Sequence, residues 1–481
     1  MTSKAPTTAL TMQAKTFGLD QVNVSFLEGK HTSPLVISPR WDDSVDFVAT
    51  WLHLNRSWVE EQMLAYGAVY IRGFLISNPP EFERAVNALQ PKLCDAYRGT
   101  SPRTLKEGCK YAFSAADAPV NFPIAQHLEM SFLKAPPRNL YFGCMKASSK
   151  PGGETSLCDF RKVYRDLSPQ LRDKLATKKI KYSRRHHKIG ERFTYDVGAM
   201  LGWPKLFGTS DPKEVERITQ EEDGPEVQWV GKNQDCFLQE WIDEPFQQHP
   251  ITGEQVWFNH SQVFHWTTFS MELWYSFKRI RDFNLIVHFI MVTLFTFIKY
   301  GLLGYKMALT TTFGDGTPIT FSEMSEIRRA IHKNMVYSRW QKGDILCIDN
   351  FSTSHGRQPT YDRSRQVIVA WSHPCNKKPA AVVPREEAEV DMNVVLKSGN
   401  VRVPDLVESP DSTPSTTLTN KKAQELKELF LNDSFKNQMA LAGRETNQKI
   451  GNSGAVLSCV TLSSVDFVTE ATAPEISQTM R

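Results

Sequence analysis

The segment QHLEMSF (126–132) sets His127 two residues before a carboxylate, Glu129. In extended chain, side chains alternate faces, so residues i and i+2 project from the same side. On a strand the two could grip one object, and an imidazole with a carboxylate suits a divalent transition metal. Alone, the pair reads more simply as a solvated charge beside an ordinary histidine, because so short a match recurs by chance. Far downstream, WQKGDILCIDNFSTSHGRQPTYDRSRQVIVAW (340–371) supplies further parts. A Gly-Asp turn starts an apolar strand over 345–348, and a polar loop then presents His355. Ten residues later Arg365 opens the strand RQVIVAW, with Val367 and Val369 on one face. From there a guanidinium can be aimed into a barrel, where its planar fork matches a carboxylate. Two histidines and one carboxylate form the facial triad of non-haem Fe(II) oxygenases, which leaves open positions on the metal.

These residues need a scaffold. The chain has 481 residues, 41% of them hydrophobic, with 11 Trp and 28 Phe, ample for a large core. From 58 to 93 the pattern is helix (WVEEQMLAYG), strand (AVYIRGFLI), helix (PPEFERAVNALQPKL), with Asn78 and the following prolines marking the second helix start. Strand-like runs then recur: LYFGCMKA, EVQWVG, EQVWFN, GDILCID and RQVIVAWSH. The pattern predicts a β-rich α+β core with flanking helices. Residues 1–40 are expected to be an arm ending in a first strand, and 41–376 the main domain. After 376 no Trp or Tyr occurs while Ser, Thr, Lys and Glu are plentiful, so 377–481 reads as a largely disordered tail.

The formal charge of +4 is small for this length, so composition alone does not suggest nucleic acid, and no nucleic-acid partner is expected. Eight scattered cysteines without a C-x-x-C pair suit reduced thiols and a cytoplasmic setting. The N-terminus lacks the apolar core of a secretory signal. Before Asp20 it has neither an acidic residue nor an arginine, so a mitochondrial address stays open. One block stands apart: FNLIVHFIMVTLFTFIKYGLLGY (283–305) approaches the length of a membrane span, with Lys278, Arg279 and Arg281 just before it. Because it lies between pieces of one candidate site, the expectation is an inserted helix, buried or covering substrate. A membrane-surface helix and a true span are the alternatives.

The order HLE, then PGGETSLCDFRKVY, then GDILCIDN, HGRQP and SRQVIVA resembles the taurine dioxygenase-like superfamily from about Val59 to Pro374. The resemblance implies a double-stranded β-helix, or jelly-roll, core. By that likeness His127, Glu129 and His355 would bind Fe(II), and Thr155 and Arg365 would hold the co-substrate 2-oxoglutarate. Thr155 by itself is an ordinary strand hydroxyl. The activity implied is a dioxygenase hydroxylating a small metabolite. The rivals are a jelly-roll binding protein without catalysis, and a protein tethered to membrane through 283–305. The acidic ligand is Glu129 where many members have aspartate. Val369 stands where taurine dioxygenase carries a second arginine, so taurine is not the expected substrate.

Three further residues are candidates for substrate contact or support of the site. Arg357 lies two positions beyond His355, with a surface ion pair as its alternative. Arg161 in DFRKVY reads better as a structural salt bridge, and Asn259 in WFNH reads equally as a turn residue. His260 and His265 show no ligand pattern.

Overall fold

The computed structural model describes residues 18–379, apart from 28–33, 96–102, 116–118, 189–201, 222–223, 232–234 and 376. Eleven strands build the two sheets that carry the candidate site: β1 (Val22–Phe26), β2 (Leu35–Pro39), β3 (Ala68–Ile71), β4 (Phe113–Ser114), β5 (Ile124–His127), β6 (Asn139–Lys146), β7 (Thr155–Asp159), β8 (Met335–Val336), β9 (Ile345–Asp349), β10 (Thr353–Arg357) and β11 (Gln366–Trp371). The larger sheet runs β1-β2-β3-β9-β6-β11-β4 and the smaller β8-β7-β10-β5. Only β2 and β3 pair in parallel; the other pairings in these sheets are antiparallel.

Central strands of the larger sheet are apolar on both faces because both faces are covered. Phe142, Leu346, Ile348, Val367 and Val369 point to a cluster shared with Leu157 of the smaller sheet. Their sequence neighbours Tyr141, Ile345, Cys347, Ile368 and Ala370 point the other way, onto helices Val45–Leu54, Arg56–Tyr66 and Pro79–Leu89. This is the two-residue alternation of a pleated strand applied to a doubly buried sheet. Gly143 in β6 permits the close approach: a Cβ there would lie 2.4 Å from the Phe82 ring. Helix Pro79–Leu89 starts as its sequence predicts, with Asn78 accepting from the Glu81 amide at 3.0 Å.

Several expectations need correction. The first 40 residues contribute two strands to the main sheet, β1 and β2. Only Ala68–Ile71 of AVYIRGFLI is strand. The apolar block is a helix, Phe283–Thr296, continued by a π-helical turn, Phe297–Leu302. It is not buried: only Leu285 and Thr296 along it are. The expected tail lies outside the described residues from 380 onward. Its first residues, Lys378–Pro379, pair with the strand Phe246–Gln248.

Candidate metal centre

β10 lies between β7 and β5, and its register sets His355 directly opposite His127. The two imidazole centroids stand 4.3 Å apart. His355 is therefore a strand residue, not a loop residue, and it is buried. Conversely β5 ends at His127, so Glu129 lies beyond the strand rather than on its face. What turns Glu129 inward is the backbone: Met130 adopts a left-handed φ of 54°. The Asn350 side chain clamps the same turn, accepting from the Glu129 amide at 2.7 Å and donating to its carbonyl at 3.0 Å. Glu129 Oε2 then stands 3.8 Å from His127 Nε2 and 3.5 Å from His355 Nε2. All three donor atoms lie within 4.8 Å of one another.

The protonation states suit a cation. His127 Nδ1 is 2.9 Å from the Ala125 carbonyl, which can only accept, so that nitrogen carries a proton and Nε2, facing Glu129, is the atom placed to ligate. Burial, then the neighbouring His127, pushes the His355 pKa down to about 4, so its imidazole is neutral at pH 7. Burial works against the charge of Glu129. Arg103, at 3.0 Å, and the two imidazoles outweigh it and hold the carboxyl well below its ordinary range. Two imidazoles and an ionised carboxylate converging in one place are a donor set that suits a divalent iron centre.

The anion end is built by the same register. Thr155 opens β7, is buried, and pairs with Arg357, two residues beyond His355. Arg365 immediately precedes β11 and donates from Nε to the Gly153 carbonyl at 2.6 Å. Burial pushes its pKa down to about 10, which leaves it charged at pH 7. Among the described residues no carboxylate forms an ion pair with Arg365, a cation in want of an anion. Arg357 is buried and donates to the Pro119 and Phe122 carbonyls at 2.5 and 3.1 Å. Burial first, then Arg365, lowers its pKa to about 9.

Gly152 and Gly153 shape this end. Gly152 has φ 85°, and a Cβ there would lie 1.8 Å from the Pro359 carbonyl oxygen. Gly152→Ala must displace that backbone and with it the Gly153 carbonyl that holds Arg365. The expected result is a loss of about 2 kcal/mol in chemical denaturation, with a raised 2-oxoglutarate requirement.

The remaining candidates sit elsewhere in the network. Every guanidinium nitrogen of Arg161 is engaged, by Asp159, Glu254 and the Leu64 and Ala65 carbonyls. Asn259 is fully buried in its own turn, donating to the Pro245 carbonyl and accepting from Ser261. Three residues beside the triad are absent from the sequence reading as site residues: Arg103, Asn350 and His260. His260 holds Ser131 Oγ at 3.0 Å, and its ring centroid lies 6.1 Å from that of His127, outside the ligand cluster. Asn350 at least follows directly on the strand GDILCID; Arg103, in a loop 26 residues before Glu129, gives no signal.

Residues 33–371 match the model of the family described as taurine catabolism dioxygenase TauD, TfdA family. The chain belongs to this family, and it is a 2-oxoglutarate-dependent, non-haem iron dioxygenase. It is 26% identical over 317 residues to the dapdiamide synthesis protein DdaC of Enterobacter agglomerans, covering 66% of this chain and 85% of that one. A clavaminate synthase-like protein of Arabidopsis thaliana is 25% identical over 347 residues, covering 70% and 92%. Among solved structures, a taurine dioxygenase from Burkholderia xenovorans aligns over 76% of this chain and 96% of its own, at 13% identity and a TM-score of 0.40.

Proposed function

We propose that His127, Glu129 and His355 hold Fe(II), that Thr155 and Arg365 hold 2-oxoglutarate, and that the enzyme hydroxylates a small molecule. The observation that carries this is the convergence of two imidazoles and one ionised carboxylate within 4.8 Å. Bound there, iron and 2-oxoglutarate would use dioxygen to oxidise a substrate C–H bond while the oxo acid loses carbon dioxide and becomes succinate. The protein's own residues do the positioning. Ala125 fixes the His127 tautomer, Asn350 fixes the Glu129 turn, and Arg103 keeps the carboxylate charged. Arg365 supplies the fork for a distal carboxylate, with Gly153 setting its direction.

The two sheets sharing one apolar cluster support the double-stranded β-helix reading of the core, within a catalytic domain of about 41–376 plus β1 and β2. The complete ligand set favours catalysis over a jelly roll that only binds. Val369 lies in the apolar cluster, where it offers no cation to a sulfonate; this argues for a substrate other than taurine. Eight scattered cysteines without a C-x-x-C pair suit a cytoplasmic setting. Anaerobic addition of Fe(II) and then 2-oxoglutarate is expected to give a visible metal-to-ligand charge-transfer band. A screen of small amines, amino acids and carboxylic acids should then find one that accelerates succinate release. Failure to form the band with iron bound would sink the co-substrate assignment.

A further inference from the structure

A helix on the surface of a soluble domain normally turns its polar face outward. Helix Phe283–Thr296 and its continuation to Leu302 do the reverse. Phe283, Val287, Ile290, Met291, Leu294, Phe297, Ile298 and Leu302 are all exposed, Leu294 at 59% and Leu302 at 67%. At 100° per residue those within Phe283–Thr296 fall on one stripe, spaced i, i+4, i+7, i+8 and i+11, and Phe297, Ile298 and Leu302 follow in the π-helical turn. No charged side chain lies between Phe283 and Ile298. Too exposed for a core helix and too far from the N-terminus for a signal, this segment presents a continuous apolar ridge about 30 Å long.

Its mounting decides the direction in which the ridge can meet an apolar phase. Arg281 turns the chain with a φ of 63°, and the segment folds back along helix Thr268–Ile280. Thr296 Oγ1 comes within 3.4 Å of Ser270 Oγ, and the Phe289 ring within 5.3 Å of Trp274. The following strand, Leu309–Phe313, pairs with Ile180–His187. Helix Phe283–Thr296 is thus backed by protein on the side toward Thr268–Ile280, a one-sided contact that suits a helix lying on a surface better than a span surrounded by lipid. The ridge lies flat on the body.

The surrounding charge identifies the partner. From Leu273 to Gly314 the chain has five basic residues, Lys278, Arg279, Arg281, Lys299 and Lys306, and one acid, Asp282. Asp282 caps the helix, accepting from the Asn284 amide at 2.8 Å, and Arg279 is paired with Glu154 at 2.7 Å. Lys278 and Arg281 at one end, with Lys299 and Lys306 at the other, bracket the apolar stripe. An apolar ridge with basic ends is complementary to an anionic bilayer: side chains enter the acyl boundary and cations meet the head groups.

We propose that Phe283–Leu302 is an in-plane docking helix that seats this enzyme on an anionic phospholipid surface. The seat is beside the site. His288, on the helix, stacks on Phe122 at 5.7 Å, and the Phe122 carbonyl holds Arg357. Arg279 of the supporting helix grips Glu154, next to Thr155.

The test is flotation of the full chain with vesicles of phosphatidylcholine plus phosphatidylserine, and with phosphatidylcholine alone. Flotation with the anionic vesicles is expected, weakened by salt and released by alkaline carbonate. Ile290→Glu with Leu294→Glu, both outward, should cut the bound fraction roughly tenfold or more without changing the melting temperature. Neutralising Lys278, Arg281, Lys299 and Lys306 to glutamine should abolish the preference for anionic vesicles. His127→Ala should float as the wild type does, so the outcome is independent of the oxygenase reading. Three results would overturn the proposal: no flotation with anionic vesicles, flotation that survives carbonate, or a dimer dispersed by the glutamate pair in a protein that never floats.

Discussion

His127→Ala and His355→Ala are each expected to reduce bound iron from one per chain to nearly none and to abolish turnover, while the fold persists. Among the described residues the two histidines are two of three converging donors, and no other His, Cys, Asp or Glu joins that cluster. His260, the next imidazole, is 6.1 Å ring to ring from His127 and is engaged with Ser131. Losing a residue that merely supports a metal ligand typically costs about 10–100-fold in affinity or activity; losing the ligand itself must cost more. The fold should survive because the backbone pairing of β10 with β5 and β7 does not need the imidazoles. Metal analysis of purified variants, with melting curves beside it, measures both quantities. His260→Gln is the control, expected to retain its iron. Full iron content in either alanine variant would remove that histidine from the ligand set.

The parts of the site that the sequence makes legible are those carried by residue type at short range. His127 and Glu129 announce themselves by spacing, and His355 with Arg365 by their place around a strand. Strand alternation, expected to bring His127 and Glu129 together, does not do so, because β5 ends at His127, two residues short of Glu129. A left-handed Met130 and a clamp from Asn350, 221 residues away, do that work. Contacts of such separation leave no local pattern. Arg103 is hidden for a related reason: a loop arginine is usually solvated, and only the fold shows this one against Glu129. The apolar block shows the limit of hydropathy. Composition reveals 20 residues able to cross a membrane, but which side of the helix is covered depends on Thr268–Ile280 packing against it. The two strands within residues 22–39 were compressed into one because each is only five residues long.

Arg365→Ala is expected to raise the 2-oxoglutarate concentration for half-maximal rate by roughly two to three and a half orders of magnitude, with iron still bound. The guanidinium has no carboxylate partner among the described residues, and its Nε is committed to the Gly153 carbonyl. The η nitrogens are thereby left to address a carboxylate. Removing one half of a buried charge pair costs about 3–5 kcal/mol, which at about 1.4 kcal/mol per tenfold corresponds to the predicted shift. Arg365→Lys keeps the charge but loses the fork, so it should fall between the two. Burial pushes the Arg365 pKa down, yet the guanidinium stays charged at working pH, so affinity for 2-oxoglutarate should be flat between about pH 6 and 8 in respect of this group. Arg357, whose donors go to Pro119 and Phe122, is the competing anchor. An unchanged co-substrate requirement in Arg365→Ala, with a large rise in an Arg357 variant, would transfer the role to Arg357.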